Sequence, residues 1–586
     1  MNQEYGKVKG KECSPSDTIS AIEKILLDLG IIVLQEWNSP IKNSFSVLLR
    51  IKGTNLFTNG KGTTEEYALA SGYAEMMERL QTMALFRFHL QYPDDVMYHS
   101  NFVYAPDEIK ATPEEMINRC NKFIPIETGI ELTERLQVLE EWLHIENSQF
   151  STNNSSDVIY SIPFKEIISG NEVFFPIKML DLLYGSNGMC AGNKYEEAMV
   201  QGLSELCERF ANKTIIKDRL SVPTIGIEYI KEHCPTSYNI IQAVHQHHYK
   251  IIVKDCSLGI KYPVVAIICI DKRIGKYFVK FGAQPNLDIA IERCLTEMFQ
   301  GRDLKNVHWL KEFFYSYSND FINKNLSSIL HTGDGFYPYE FFLDSKEPFA
   351  AWCYQGNDNK KFFEELTQLI TDNGYKIYVR DWSFLSFPTY QIVIPGFSNI
   401  YDSIKERIHW HSKYLQVKRY VKALDQLDKE KFDAIMGFME LNGYNNGYGI
   451  LELLGLPVNR SGKWSILKKD YFAALYYFYQ KDYPKAYEYM NSYVQYSNNS
   501  ITRCLRQYMV LKLLKKDSID IATELKDYYS PEVIYHVTSV LDKSYFDQYS
   551  TNCFECTDCR EADCNQNNIN NYLKVIKDKY LAVSIY

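Results

Sequence analysis

The chain has 586 residues, enough for two large domains or about four of ordinary size. Its 64 Lys and Arg against 73 Asp and Glu give a net charge of −9, so no cationic excess exists to displace the counterions of a nucleic acid, and no direct nucleic-acid partner is expected. The 46% of hydrophobic residues excludes disorder over most of the chain, and the longest aliphatic or Cys run, Val264–Ile270, is far short of the roughly 18 residues a membrane span needs.

Taken in chain order, the N-terminus carries no apolar signal region, so a cytoplasmic protein with mostly reduced cysteines is expected. Val47, Leu49 and Ile51 alternate with Ser46, Leu48 and Arg50, the period of a strand. A glycine-bearing turn, Asn59-Gly60-Lys61-Gly62, precedes an amphipathic helix over Thr64–Phe86. A second, Ser186-Asn187-Gly188-Met189-Cys190-Ala191-Gly192-Asn193, precedes another over Tyr195–Ala211. His245, His247 and His248 fall in a short helical stretch and read as a surface face; no H-E-x-x-H motif occurs. Tyr262–Ile270, Tyr375–Val379 and Gln391–Ile394 read as strands, the last ended by Pro395-Gly396. This is an α/β (α+β) region, assigned to residues 1–405. From about Ser403 strand patterns vanish, and residues 420–586 read as an all-α domain. Within it Asp470–Gln480 and Tyr483–Tyr493 form a helix–turn–helix around Lys481-Asp482, with Pro484 opening the second helix. Ala474, Tyr479 and Ala486 sit near the small and aromatic positions of a tetratricopeptide-like unit; a generic bundle would look the same.

The most informative feature is an internal repeat. Glu66, Gly72, Glu75, Glu78 and Arg79 recur 130 residues later as Glu196, Gly202, Glu205, Glu208 and Arg209. A fainter third copy follows Gly282, with Ala290, Arg293, Glu297 and Gln300. Residues three apart share a helix face, so each E-x-x-E sets two carboxylates on one stripe. A single such pair is most often a solvated face. Here the pairs are interleaved with Met76, Met77, Leu80, Leu206, Cys207 and Phe210, which points to partial burial. Converging carboxylates must be neutralised by cations, and hard oxygen donors suit Mg²⁺, which is commonly shared with nucleotide phosphates.

These motifs resemble the signature of the YcaO family. The resemblance runs through Phe57–Gly62, the second glycine turn with Glu197 and Gly202–Arg209, Phe281-Gly282-Ala283 with Glu292–Glu297, and Ile394-Pro395-Gly396. It implies an ATP-binding fold without a P-loop, and no G-x-x-x-x-G-K-[ST] is present. It further implies Mg²⁺ on Glu75, Glu78, Glu205, Glu208 and Glu297, and ATP contacts at Lys11, Thr18, Ser71, Asn193, Glu197, Arg209 and Arg293. Lys11 and Thr18 rest on the short match G-K-x₅-D-[ST]-I at Gly10–Ile19, and for Lys11 a solvated lysine is the equal alternative. Cys190 stands where a smaller Ser or Ala is usual. The family's chemistry is ATP-driven activation of peptide amides, giving azolines, thioamides or amidines. The cyclodehydratase branch ends in a proline-rich terminus; this chain ends Lys579-Tyr580-Leu581-Ala582-Val583-Ser584-Ile585-Tyr586. The enterobacterial-type branch, with a helical tail, implies assistance to β-methylthiolation of an aspartate on a small-subunit ribosomal protein. Its implied partners are a peptide or ribosomal-protein substrate, a methylthiotransferase and a second copy in a homodimer. A non-catalytic ATP-binding scaffold that recruits a methylthiotransferase is the alternative.

Outside that resemblance, Cys553-x₂-Cys556-x₂-Cys559-x₄-Cys564 has the spacing of a Zn²⁺ or iron–sulfur ligand set; solvated or redox-paired thiols are the alternative. The 45 tyrosines are dispersed, and those within Tyr471–Tyr496 are expected to pack between tail helices.

Overall fold

The computed structural model describes residues 10–41, 43–87, 102–118, 140, 158–246, 249–298, 300, 310–351, 354, 358–400, 404–444, 447–455, 466–514, 518–549 and 564–584. Cys553, Cys556, Cys559, His247 and His248 lie outside the described residues.

After helix α1 (Pro15–Asp28) come three antiparallel strands, β1 (Val33–Ile41), β2 (Ser44–Ile51) and β3 (Phe57–Gly62), in the order β1-β2-β3. Val47 and Leu49 lie opposite Gly60 and Thr58, with Val47, Leu49 and Ile51 buried as the alternation requires. Helix α2 (Glu65–Gln81) packs on this sheet. Its N-cap Thr64 accepts from the Tyr67 N–H, and Glu65 and Glu66 complement the positive end of the helix dipole. The expected helix to Phe86 breaks at Met83, whose φ of 56° is left-handed, and resumes only as Ala84–Arg87.

A second antiparallel sheet holds β4 (Ile109–Ala111), β5 (Ile159–Glu166), β6 (Glu172–Pro176) and β7 (Met189–Ala191) from mid-chain, and β12 (Tyr378–Asp381) and β13 (Thr389–Val393) from further on. Its order is β4-β5-β12-β13-β7, with β6 also on β5. The third sheet, β11-β10-β9-β8, holds β8 (Thr224–Ile225), β9 (Tyr249–Asp255), β10 (Val264–Asp271) and β11 (Lys276–Ala283). Helix α3 (Tyr195–Asp218) follows β7 and runs seven residues past the expected Ala211, ending at left-handed Arg219. Helix α4 (Pro235–His245) leads into β9, and α5 (Leu287–Met298) follows β11. Helices α6 (Asn319–Thr332) and α7 (Asn359–Asp372) complete this region. The strand expected from Tyr375 starts only at Tyr378, because Gly374 (φ 86°) ends α7 and Tyr375 N–H still bonds back to Ile370.

Each repeat is therefore a strand running into a helix, and its glycines have a packing reason. An added Cβ at Gly60 would lie 1.9 Å from Ala68 O and 2.6 Å from Gly72 N, so β3 and α2 approach at backbone contact. In the second copy Cys190 fills the same gap: a Cβ at Gly202 would lie 2.8 Å from its Sγ.

Helix α8 (Ile404–Lys422) buries Ile408 and Leu415 in the cluster of the first two sheets, while its Val417 and Val421 join α9 (Lys429–Leu441), α10 (Lys469–Tyr479), α11 (Tyr483–Tyr496), α12 (Ser500–Leu513), α13 (Ser518–Leu525) and α14 (Pro531–Val540) in a separate hydrophobic cluster. Phe432 stacks on Tyr476 there at 3.7 Å, and Tyr471 and Tyr493 are buried between helices. Lys481 is left-handed (φ 62°), which makes the tight α10–α11 turn.

The last helix, α15 (Gln566–Ser584), does not join that bundle. Ile569, Leu573, Ile576 and Tyr580 are buried in the cluster of the first two sheets. Tyr580 stacks on Phe384 at 4.0 Å and its hydroxyl accepts from Arg380 at 2.9 Å. Lys577 Nζ donates to Phe102 O, and Asn568 Nδ2 to Gly53 O. Cys564, half-buried, lies just before this helix.

Candidate functional site

Helices α2, α3 and α5 bring the repeated carboxylates together. Glu75 and Glu78 lie one turn apart on α2, Glu205 and Glu208 on α3, and Glu297 near the end of α5. Glu78 is only 14% exposed. Burial, with repulsion from Glu205 and Glu75, pushes its carboxyl up to about 8 against the pull of Arg79. Glu208 is pushed up to about 7 by burial and by Glu297 and Glu205. Glu75 is likewise raised, by burial first and in part by Glu205. Carboxylates of all three helices therefore feel one another.

The cations expected between them are present as side chains. Arg79 pairs with Glu78 at 3.1 Å and Glu75 at 3.7 Å, and Arg209 with Glu205 at 3.1 Å. Lys61, from the glycine turn of β3, pairs with Glu297 Oε2, and Lys280 of β11 lies 3.7 Å from Oε1. Despite burial, Lys61 and Lys280 hold the Glu297 carboxyl down to about 2. Arg293 donates to Gln201 Oε1 and to Ala283 O at 3.1 Å, near Glu208 and Glu205. Glu208 has no hydrogen bond or ion pair among the described residues. Among these residues no three His, Cys, Asp or Glu side chains stand in ready metal-ligand geometry. Glu75, Glu78, Glu205 and Glu297 are held by ion pairs that a metal would have to exchange. The donor set, carboxylate oxygens with guanidinium and ammonium groups, suits a hard cation carrying phosphates.

A second constellation gathers at the start of α3. Glu197, 4% exposed, accepts from Lys11 Nζ at 3.2 Å, from the Glu12 N–H at 3.1 Å and from Asn193 Nδ2 at 3.3 Å. Thr18 donates to Asn193 Oδ1 at 3.0 Å, which fixes the amide. Glu12 also pairs with Lys194 and accepts from Asn359 Nδ2. Lys11, itself 45% exposed, is thus an ion-pair partner of a buried carboxylate. Ser71 sits one turn before Glu75 on α2, half-buried.

Sequence reasoning missed Lys61, Lys280 and Gln201. Lys61 was visible inside the glycine turn, and Lys280 two residues before Gly282; nothing in the pattern gave them a partner. Cys190 is fully buried, and burial, then Glu78 and Glu205, raises its thiol well above the ordinary range. A thiol so placed is a packing residue and a poor nucleophile.

Residues 59–398 match the model of the YcaO cyclodehydratase, ATP- and Mg²⁺-binding family. The chain is 28% identical over 476 residues to the Escherichia coli ribosomal protein S12 methylthiotransferase accessory factor YcaO, covering 79% of this chain and 78% of that one. It is 27% identical to a Haemophilus influenzae protein over the same shares of both chains. Among solved structures, a heterocyclase in complex with substrate and cofactor aligns at 18% identity and a TM-score of 0.46, over 66% of this chain; the chain spans about half (53%) of that one. YcaO from Methanopyrus kandleri, bound with AMPPCP and Mg²⁺, aligns at 15% identity and 0.40, over 66% of this chain and 92% of its own. The match covers more than half of the chain and takes in every helix that carries the acidic set, and the chain belongs to the YcaO family.

Proposed function

We propose that Glu75, Glu78, Glu205, Glu208 and Glu297 bind Mg²⁺ and that ATP lies between them and the Lys11–Thr18–Asn193–Glu197 constellation. Ser71, Arg209 and Arg293 supply further contacts. The observation that carries this reading is the convergence of carboxylates from three repeated strand–helix units, two of them pushed up to about 7 and 8 by burial and mutual repulsion. Such a site is costly to keep without a cation to receive. Bound ATP with Mg²⁺ supplies phosphoryl-group chemistry. This chain's residues position the phosphates and balance their charge.

The role we assign is ATP-dependent action on a peptide or protein backbone amide, or assistance to β-methylthiolation of an aspartate on a small-subunit ribosomal protein. The description of the family as cyclodehydratase supports the first, and the name of the Escherichia coli relative, a ribosomal protein S12 methylthiotransferase accessory factor that shares most of both chains, supports the second. That name also supports a second reading, a non-catalytic ATP-binding scaffold that recruits a methylthiotransferase. In either case residues 1–405 form the nucleotide-binding unit, and the bundle after residue 420 is tetratricopeptide-like around α10–α11. Phosphate release on mixing the protein, Mg²⁺-ATP and the ribosomal protein separates the two. Release that depends on the substrate supports the enzyme; ATP binding without release, with retention of the methylthiotransferase in a native pull-down, supports the scaffold.

A further inference from the structure

The metal-nucleotide reading leaves Lys61 without a role, and its position gives it one. Glu297 carries an ammonium group on each oxygen: Lys61 on Oε2 and Lys280 at 3.7 Å from Oε1. The two lysines come from different sheets and are not equivalent. Lys280 is 10% exposed, donates to Gly333 O at 3.2 Å and lies 5.5 Å from the centre of the Phe278 ring, so it is anchored. Lys61 is 27% exposed and its ammonium bonds only to Glu297 among the described residues. A lysine ammonium on a flexible four-carbon stem moves at little cost.

Around this pair carboxyl groups and cations are interleaved. Glu75, Glu78, Glu205, Glu208 and Glu297 face Lys61, Arg79, Arg209, Lys280 and Arg293. A divalent cation entering alone must break ion pairs and leaves a cationic excess. A nucleotide entering alone finds the Lys61 ammonium already paired with Glu297. If both enter, the metal takes carboxylate oxygens and the freed ammonium takes a phosphate oxygen, so each ligand satisfies the partner the other displaces.

Resting on the metal-nucleotide reading above, we propose that Lys61 is an exchange residue. It pairs with Glu297, yields that carboxylate to Mg²⁺ and moves to a phosphate oxygen of the nucleotide, so that metal and nucleotide bind as a coupled pair. Lys61 is a positioning residue in this account; no bond is made or broken at it.

The test is equilibrium binding with the full chain. Mn²⁺ is titrated alone and followed by its electron-paramagnetic signal. The β,γ-methylene analogue of ATP is titrated by calorimetry with a chelator, then with Mg²⁺. In the wild type each ligand tightens the other, by roughly 5–150-fold, the usual range of coupling between sites. In Lys61→Gln, Mn²⁺ alone binds tighter, the analogue with Mg²⁺ binds weaker, and the coupling falls toward one. Lys61→Arg keeps the charge and the coupling. Should Lys61→Gln fail to fold, Lys61→Met carries the same expectation. Unchanged or weaker Mn²⁺ binding in Lys61→Gln, or coupling equal to the wild type, overturns the role of Lys61 and leaves the metal-nucleotide reading standing. No metal-dependent analogue binding by the wild type overturns that reading, and this inference with it.

Discussion

Gly60→Ala is the smallest change that addresses the link between fold and site. The added Cβ would lie 1.9 Å from Ala68 O, 2.6 Å from Gly72 N and 2.9 Å from Gly72 Cα, all backbone atoms of α2. A carbon and an oxygen without a bond between them rest more than 3 Å apart, so the helix must back away from β3 by over an ångström; no side chain can swing aside instead. Moving α2 opens the contacts of Met76, Met77 and Leu80, each fully buried. Overpacking a core typically costs about 1–3 kcal/mol, and a backbone-to-backbone clash belongs at the upper end. At roughly 2–4 °C per kcal/mol for a large domain, the unfolding midpoint should fall by about 6–12 °C. Glu75 and Glu78 ride on the displaced helix, so affinity for Mg²⁺-ATP should fall as well. Thermal unfolding followed by circular dichroism reads the first effect and calorimetry the second. Gly437→Ala is the control: it sits inside α9 with nothing within 4 Å of an added Cβ, and should gain about 0.5–1 kcal/mol from helix propensity. If Gly60→Ala melts within a degree of the wild type and binds nucleotide equally, the close approach of β3 to α2 is wrong.

Two further outcomes follow from groups outside the site. Tyr580→Ala removes a side chain only 8% exposed, its stack on Phe384 and its hydrogen bond to Arg380; it should cost about 3 kcal/mol and raise amide exchange along α15, whereas unchanged exchange there would place the helix elsewhere. His411 is pushed down to about 3, by burial first and then by Lys178, Lys418 and Arg407, against roughly 6.5 unfolded. The unfolded chain then takes a proton that the native state refuses, so this contribution is present above pH 6.5 and is lost as pH falls toward 3. Urea unfolding at pH 7.5 and 5.5 should show a larger loss in the wild type than in His411→Asn, and equal losses would refute the assignment.

The acidic site was legible because its signal is local and repeated. An E-x-x-E three residues apart can only share a helix face, and the glycines ahead of each copy mark where strand and helix touch. The strand over Val47–Ile51 was legible for the same reason: alternation fixes both the period and the buried face. Of the counter-cations, Arg79 and Arg209 lie within the repeat itself, but the lysines were not legible, because Lys61 and Glu297 are 236 residues apart and meet only through the placement of two sheets around three helices. Nor was the docking of α15. Its periodicity, with Ile569, Leu573, Ile576 and Tyr580 on one face, says that a face is buried but not against what. A sequence whose tail is all helix suggests a tail that packs on itself; here Trp382, Phe384 and Arg380 of the first region supply a better-matched surface for Tyr580. Helix ends were displaced where single residues adopt left-handed backbone, as at Met83, since neither residue type nor pattern marks that conformation there.

The central claim, that the carboxylates of α2, α3 and α5 form one Mg²⁺-ATP site, is tested most directly by calorimetric titration of Mg²⁺-ATP into the wild type, Glu75→Ala and Glu205→Ala. The folded state of each is checked by circular dichroism. Removing even an outer partner of a metal ligand typically costs 10–100-fold in affinity, so loss of a ligand should cost at least about 100-fold. The account predicts metal-dependent binding by the wild type and that loss in both variants with the fold intact. Affinity unchanged in both variants would contradict it.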